Sequence, residues 1–160
     1  MNRRSFLKGL LFFSSIFTLK LKASKRNNVS FNYGVASGDP TNTNIILWTK
    51  VTPTFNKDVT IKWQLSADKN FKKILNSGNV SAKYSNDFTV KVDVNVPYPF
   101  RGNKVFYRFF FNDTFSDTGI TNTLPQNDPD KYNIAFCSCS NYPAGYFNAY
   151  REMAKNENID

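Results

Sequence analysis

Val59-Thr60-Ile61-Lys62-Trp63-Gln64-Leu65-Ser66 alternates apolar and polar side chains along its whole length. A period of two places Val59, Ile61, Trp63 and Leu65 on one face of an extended strand and the polar four on the other. A helix, turning about 100° per residue, would scatter the same apolar groups around its circumference. The run therefore predicts a half-buried strand.

Working outward, Phe88, Val90, Val92 and Val94 alternate in the same way with Thr89, Lys91 and Asp93. Further strands are expected at Phe31–Ala36, Asn44–Val51, Asp87–Val94 and Lys104–Phe111, with weaker ones near Lys73–Leu75 and Phe115–Asp117. Turn-forming residues separate them: Gly38-Asp39-Pro40, Pro53-Thr54, Asn76-Ser77-Gly78, and the stretch from Pro97 to Asn103. Short strands at such spacing predict a mainly β fold, an all-β sandwich over residues 28–126. Trp48, Trp63 and Tyr107 are its expected large core side chains. Lys104–Phe111 is apolar on both faces, which predicts a second layer over its outer side, with a following domain as the candidate. Asp117–Pro125 reads as a closing strand, and Gln126–Lys131 as a short polar linker.

Charge narrows the function classes. The formal net charge is +9, but residues 1–26 hold seven of the 21 Lys and Arg and no acid. The rest carries 14 basic against 12 acidic residues, an ordinary balance that argues against a nucleic-acid partner. Histidine is absent from the 160 residues, so a complete imidazole-based metal or hydrolytic site within them is not expected.

Residues 1–27 read as an address. Asn2-Arg3-Arg4-Ser5-Phe6-Leu7-Lys8 precedes an apolar stretch from Gly9 to Leu19, too short for the roughly 20 residues of a spanning helix. The adjacent arginines resemble the twin-arginine export signal, with a general secretory signal as the alternative. The export machinery is then a partner, and the destination is periplasmic or extracellular, with membrane tethering if the signal is not cleaved.

Near the other end, Tyr132–Cys137 contains the continuous apolar run Ile134-Ala135-Phe136-Cys137, expected as a parallel strand buried on both faces. The polar turn Ser138-Cys139-Ser140-Asn141 follows. From Gly145 the period changes, and Tyr146, Phe147, Tyr150, Met153 and Ala154 form one stripe of an amphipathic helix. Strand, turn and helix make the first half of a βαβ unit, an incomplete start of an α/β domain over 132–160. Left uncovered, this segment would promote self-association. Cys137 and Cys139 admit three readings: a tight disulfide, buried thiols, or a thiolate metal ligand at the strand end.

The order of these features carries a resemblance. Tyr33-Gly34-Val35-Ala36-Ser37-Gly38-Asp39-Pro40, Ile46-Leu47-Trp48-Thr49-Lys50-Val51-Thr52-Pro53, Val105-Phe106-Tyr107-Arg108-Phe109 and the segment Ala135–Tyr150 follow the Arg-Arg signal, and together resemble the PhoD-like secreted alkaline phosphatases. The resemblance implies a fibronectin- or immunoglobulin-like domain followed by a metallophosphatase domain that hydrolyses phosphomonoesters and phosphodiesters using iron and calcium. It also implies that Cys139, following Ser138, is an iron ligand. Cys137 stands where the family commonly has Ala, and Ser140 where Gln is frequent. The next family motif is a strand ending in His-x-Gly-Asp-x-x-Tyr; Asn158-Ile159-Asp160 resembles its approach. The remaining metal ligands have no counterpart, so the expectation is a front portion of such an enzyme, inactive by itself and binding no metal stably. The competing expectation is a free-standing exported β-sandwich binding module.

Overall fold

The computed structural model describes residues 28–127, 131–156, 158 and 159. The expected signal segment lies outside the described residues.

Ten strands form in chain order: β1 (Val29–Ser30), β2 (Val35–Gly38), β3 (Asn44–Lys50), β4 (Thr52–Pro53), β5 (Val59–Ser66), β6 (Ile74–Ala82), β7 (Thr89–Asn95), β8 (Val105–Phe111), β9 (Thr114–Phe115) and β10 (Gly119–Thr121). Among the described residues one short α-helix, α1 (Asn148–Lys155), follows. All pairings are antiparallel. One sheet runs β10-β8-β5-β6, with β9 also on β8; a second runs β2-β3-β7; β1 and β4 make a small ladder of their own.

The inward side chains of the two larger sheets form one core. Ile61, Leu65 and Phe109 from the first meet Ile45, Leu47, Val90 and Val94 from the second, all of them buried. Burying one such aliphatic or aromatic side chain contributes about 1.5–3 kcal/mol. The alternation read in the sequence is thus the inside-outside pattern of β5 and β7. Of the three expected core aromatics, Trp63 and Tyr107 are buried, but Trp48 is only half-buried. The inward positions of β3 go to Ile45, Leu47 and Thr49, which leaves Trp48 on the outer face beside Ala36 and Lys91. The Thr49 hydroxyl remains satisfied by donating to the Gly34 carbonyl at 2.9 Å.

Several boundaries differ from expectation for local reasons. Phe31–Ala36 is broken by a turn at Gly34, whose φ of +69° lies in the left-handed region that glycine occupies without strain. Residues before it therefore pair with β4, and residues after it with β3. β7 starts at Thr89 because Asp87 and Phe88 are both left-handed. Asn76-Ser77-Gly78 is no turn; it lies inside the nine-residue β6. Gly78 sits opposite Trp63, and a β-carbon there would come within 2.9 Å of the indole. The glycine makes room for the ring.

The closing segment is shorter than expected as a strand. After β10 it is held by individual bonds: Leu124 N–H donates to the Thr41 carbonyl at 2.9 Å, Gly102 N–H to Thr123 Oγ1 at 2.7 Å, and Gln126 Nε2 to the Asn42 carbonyl at 2.8 Å. One edge of β8 is shared by β9 and β10. Between them Ser116 takes over the ladder, its Oγ accepting from Phe109 N–H at 2.9 Å while its own N–H donates to the Phe109 carbonyl.

The largest departure is Tyr132–Cys137. It forms no strand, and Ile134 and Phe136 are 82% and 91% exposed. An extended segment becomes a strand only when a neighbour takes its backbone N–H and C=O groups in a ladder, and among the described residues this segment joins no sheet. The expected helix does form, three residues after Gly145, whose extended backbone delays it.

Candidate functional site

The turn singled out by the sequence follows that extended segment. Cys139 is exposed, Cys137 is half-buried, and both are free thiols. This removes the tight-disulfide reading. A single 3-10 turn, Tyr142–Ala144, then leads into α1. Phe147 precedes α1 and bridges two aromatic neighbours, with its ring 5.9 Å from that of Tyr142 and 5.9 Å from that of Tyr150. Arg151 N–H donates to the Phe147 carbonyl at 3.0 Å, closing the first helical turn. Of the expected apolar stripe, Tyr150, Met153 and Ala154 lie within α1 while Tyr146 and Phe147 precede it, and all three aromatic members remain exposed.

Metal coordination was tested against the donor set. A catalytic metal needs about three protein ligands and an open position. Among the described residues no group of three or more His, Cys, Asp or Glu side chains lies close enough to hold an ion. One exposed cysteine by itself does not fit iron or calcium.

Sequence reasoning did not anticipate a groove of about 760 Å³ where the β-rich part meets the C-terminal segment. Gly38, Lys104, Ile120 and Leu124 line one side, with Tyr132, Ile134 and Ile159 on the other. Its wall is assembled from six separate stretches of chain, and no local pattern marks them. The groove is where the C-terminal segment touches the sheets, and it carries no cluster of ionisable groups.

A second constellation lies on the outer face of the β10-β8-β5-β6 sheet. Arg108 donates from Nε and Nη2 to Gln64 Oε1 at 3.0 and 2.8 Å. Its guanidinium carbon stands 3.9 Å from the centre of the Phe71 ring and 4.4 Å from that of Phe115. Phe115 also stacks on Phe110, with centroids 5.3 Å apart. The outer side of β8 is therefore partly covered by its own aromatic and cationic side chains, where the sequence suggested a separate layer.

Nearby, Asp68 organises the β5–β6 loop. Its Oδ2 accepts from Lys73 N–H at 2.7 Å, and its Oδ1 from Asn70 and Lys72 N–H at 2.9 and 3.2 Å. Led by the Lys73 bond, these donors hold the carboxyl below the ordinary Asp range. Across the molecule Lys50 pairs with Asp87, and that hydrogen bond raises its pKa. Both are structural ties.

Comparison with known proteins gives a consistent answer. The family model described as PhoD-like phosphatase, N-terminal domain, matches residues 18–125. Alkaline phosphatase D of Bacillus subtilis (strain 168) is 35% identical over 164 residues, an alignment covering 95% of this chain and 27% of that protein. The solved structure titled "Structure of PhoD" superposes with a TM-score of 0.69 at 34% identity, over 80% of this chain and 26% of that one. The chain thus spans about a quarter of the length of these relatives.

Proposed function

The chain belongs to the PhoD-like phosphatase family, and on that footing we propose that it is the N-terminal part of an exported, metal-dependent phosphoester hydrolase. The β-rich residues 28–126 are its fibronectin- or immunoglobulin-like sandwich. Residues 132–160 begin its metallophosphatase domain, in which the apolar run Ile134–Cys137 gains the strand neighbours it lacks here. Phosphomonoesters and phosphodiesters are the substrates. Residues 1–27 are the twin-arginine signal that carries the protein to the periplasm or the cell exterior.

One observation carries this reading furthest. An alignment that covers 95% of the chain must run past residue 125, where the family model stops, and take in the turn at Cys139. In this proposal the Cys139 thiolate is one iron ligand, and the other iron and calcium ligands come from the rest of the full-length protein. In this proposal the 160 residues by themselves hydrolyse no phosphoester, because one cysteine ligand cannot hold a catalytic metal in an open coordination sphere.

The test is a chimera in which this chain replaces the matching quarter of the Bacillus subtilis relative. The chimera should release nitrophenol from an aryl phosphate ester in the presence of iron and calcium. Its Cys139→Ser variant should lose that activity, and the 160-residue chain alone should show none. An active Cys139→Ser chimera would remove the ligand assignment, and a folded but inactive parent chimera would remove the functional reading.

A further inference from the structure

We propose that the outer face of the β10-β8-β5-β6 sheet is the docking surface for the catalytic domain that residues 132–160 begin; the proposal rests on the functional reading above. β8 presents Phe106, Arg108 and Phe110 to this side, because Val105, Tyr107 and Phe109 fill the core. Ile120 lies opposite Phe106 in the β10 register, and Phe115 lies opposite Phe110 in that of β9. The result is a continuous stripe along one strand, with apolar groups on the flank shared by β9 and β10 and the polar Lys62, Gln64 and Ser66 of β5 on the other. Phe115 is 48% exposed and Ile120 is 55% exposed, far from the burial that side chains of this size reach in a finished layer.

Two observations select the occupant. First, the C-terminal segment already meets this sheet at the β10 end: Ile120 and Lys104 line the same groove as Tyr132 and Ile134. The proposed surface is thus continuous with an existing contact between the two parts of the chain. Second, the relatives are about four times as long as this chain, so most of such a protein remains to be placed against its N-terminal quarter. Interfaces between domains of one chain bury roughly 600–1,500 Å² and mix apolar with polar groups. A stripe of Phe and Ile interrupted by one arginine, whose Nε and Nη2 already donate to Gln64, has that character. Docking would bury Arg108 with its hydrogen bonds to Gln64 already made, which lowers the cost of desolvating it.

Hydroxyl-radical footprinting with mass spectrometry tests this, comparing the 160-residue chain with the chimera described above. Oxidation of Phe115 and Ile120 is expected to slow several-fold in the chimera. Trp48 and Tyr33, on the other sheet's side, should be oxidised equally in both proteins. Equal labelling of Phe115 in both would overturn the proposal, as would protection that shifts to Trp48. Protection of Phe115 in the short chain that grows with its concentration would assign the face to a second copy and overturn it too. Phosphatase activity of the same chimera sample separates the two readings. An active chimera with Phe115 unprotected refutes the docking surface alone, whereas protection in an inactive chimera supports the surface and refutes the functional reading.

Discussion

Gly119 and Tyr107 face each other across the β10–β8 ladder so closely that a β-carbon on Gly119 would lie 2.2 Å from Cζ of the ring. Tyr107 is buried, and its ring meets that of Phe109 edge-on at 6.5 Å, so it has little room to retreat. Gly119→Ala should lower stability by about 1–3 kcal/mol, the usual cost of overpacking. Urea unfolding checks this. A double variant with Tyr107→Leu should lose less than the sum of the two singles. Additivity would show that the ring is not what Gly119 accommodates.

Asp68 gives the β5–β6 loop a pH dependence. Its pKa is depressed in the folded protein, chiefly by the Lys73 N–H, so the native state favours the charged carboxylate more than the unfolded chain does. The stabilisation is therefore present above the unfolded Asp range and is lost as pH falls through the depressed folded value. In Asp68→Ala the unfolding midpoint should fall at neutral pH and decline less on acidification than in the parent. Parallel midpoint curves for the two proteins would contradict the assignment.

Arg108→Lys keeps the charge but cannot reproduce two donors to Gln64 or lie flat between Phe71 and Phe115. The expected cost is about 1–2 kcal/mol, combining one hydrogen bond with weakened ring contacts. Denaturant unfolding measures it. A lysine variant of unchanged stability would mean that charge alone holds this face together.

The two thiols should differ in access. Cys139 is exposed and Cys137 half-buried, so a thiol reagent added to the native chain should modify Cys139 first. Peptide mass spectrometry at timed intervals reads the order. A product lighter by two hydrogens and unreactive at both positions would reveal a disulfide that the structure does not contain.

Legibility in the sequence followed where the physical demand originates. β5 runs over Val59–Ser66 as expected because its alternation is a local response to one buried face. β6 was largely hidden: its residues are mostly small and polar, and the demand for Gly78 comes from Trp63 on another strand. The break at Gly34 and the late start of β7 depend on backbone conformations that hydrophobic pattern does not encode. Tyr132–Cys137 forms no strand for the opposite reason, since an apolar run has the same sequence whether or not a neighbour is present to pair with it. At the candidate site, only family resemblance assigned Cys139 a role. Residue spacing left its chemistry open, and among the described residues the structure gathers no group of three metal-ligating side chains.

The split edge of β8 bears on how the chain avoids joining others of its kind. The most apolar strand of the fold lies between β5 on one side and β9 with β10 on the other. Its backbone is thereby withheld from edge-to-edge pairing, the route by which exposed strands template aggregates. One margin of that sheet falls to β6, whose Asn76-Ser77-Gly78-Asn79 centre is a poor seed for a dry zipper. Strand order thus guards the stickiest strand on both of its edges and leaves a plain one at one margin of the sheet.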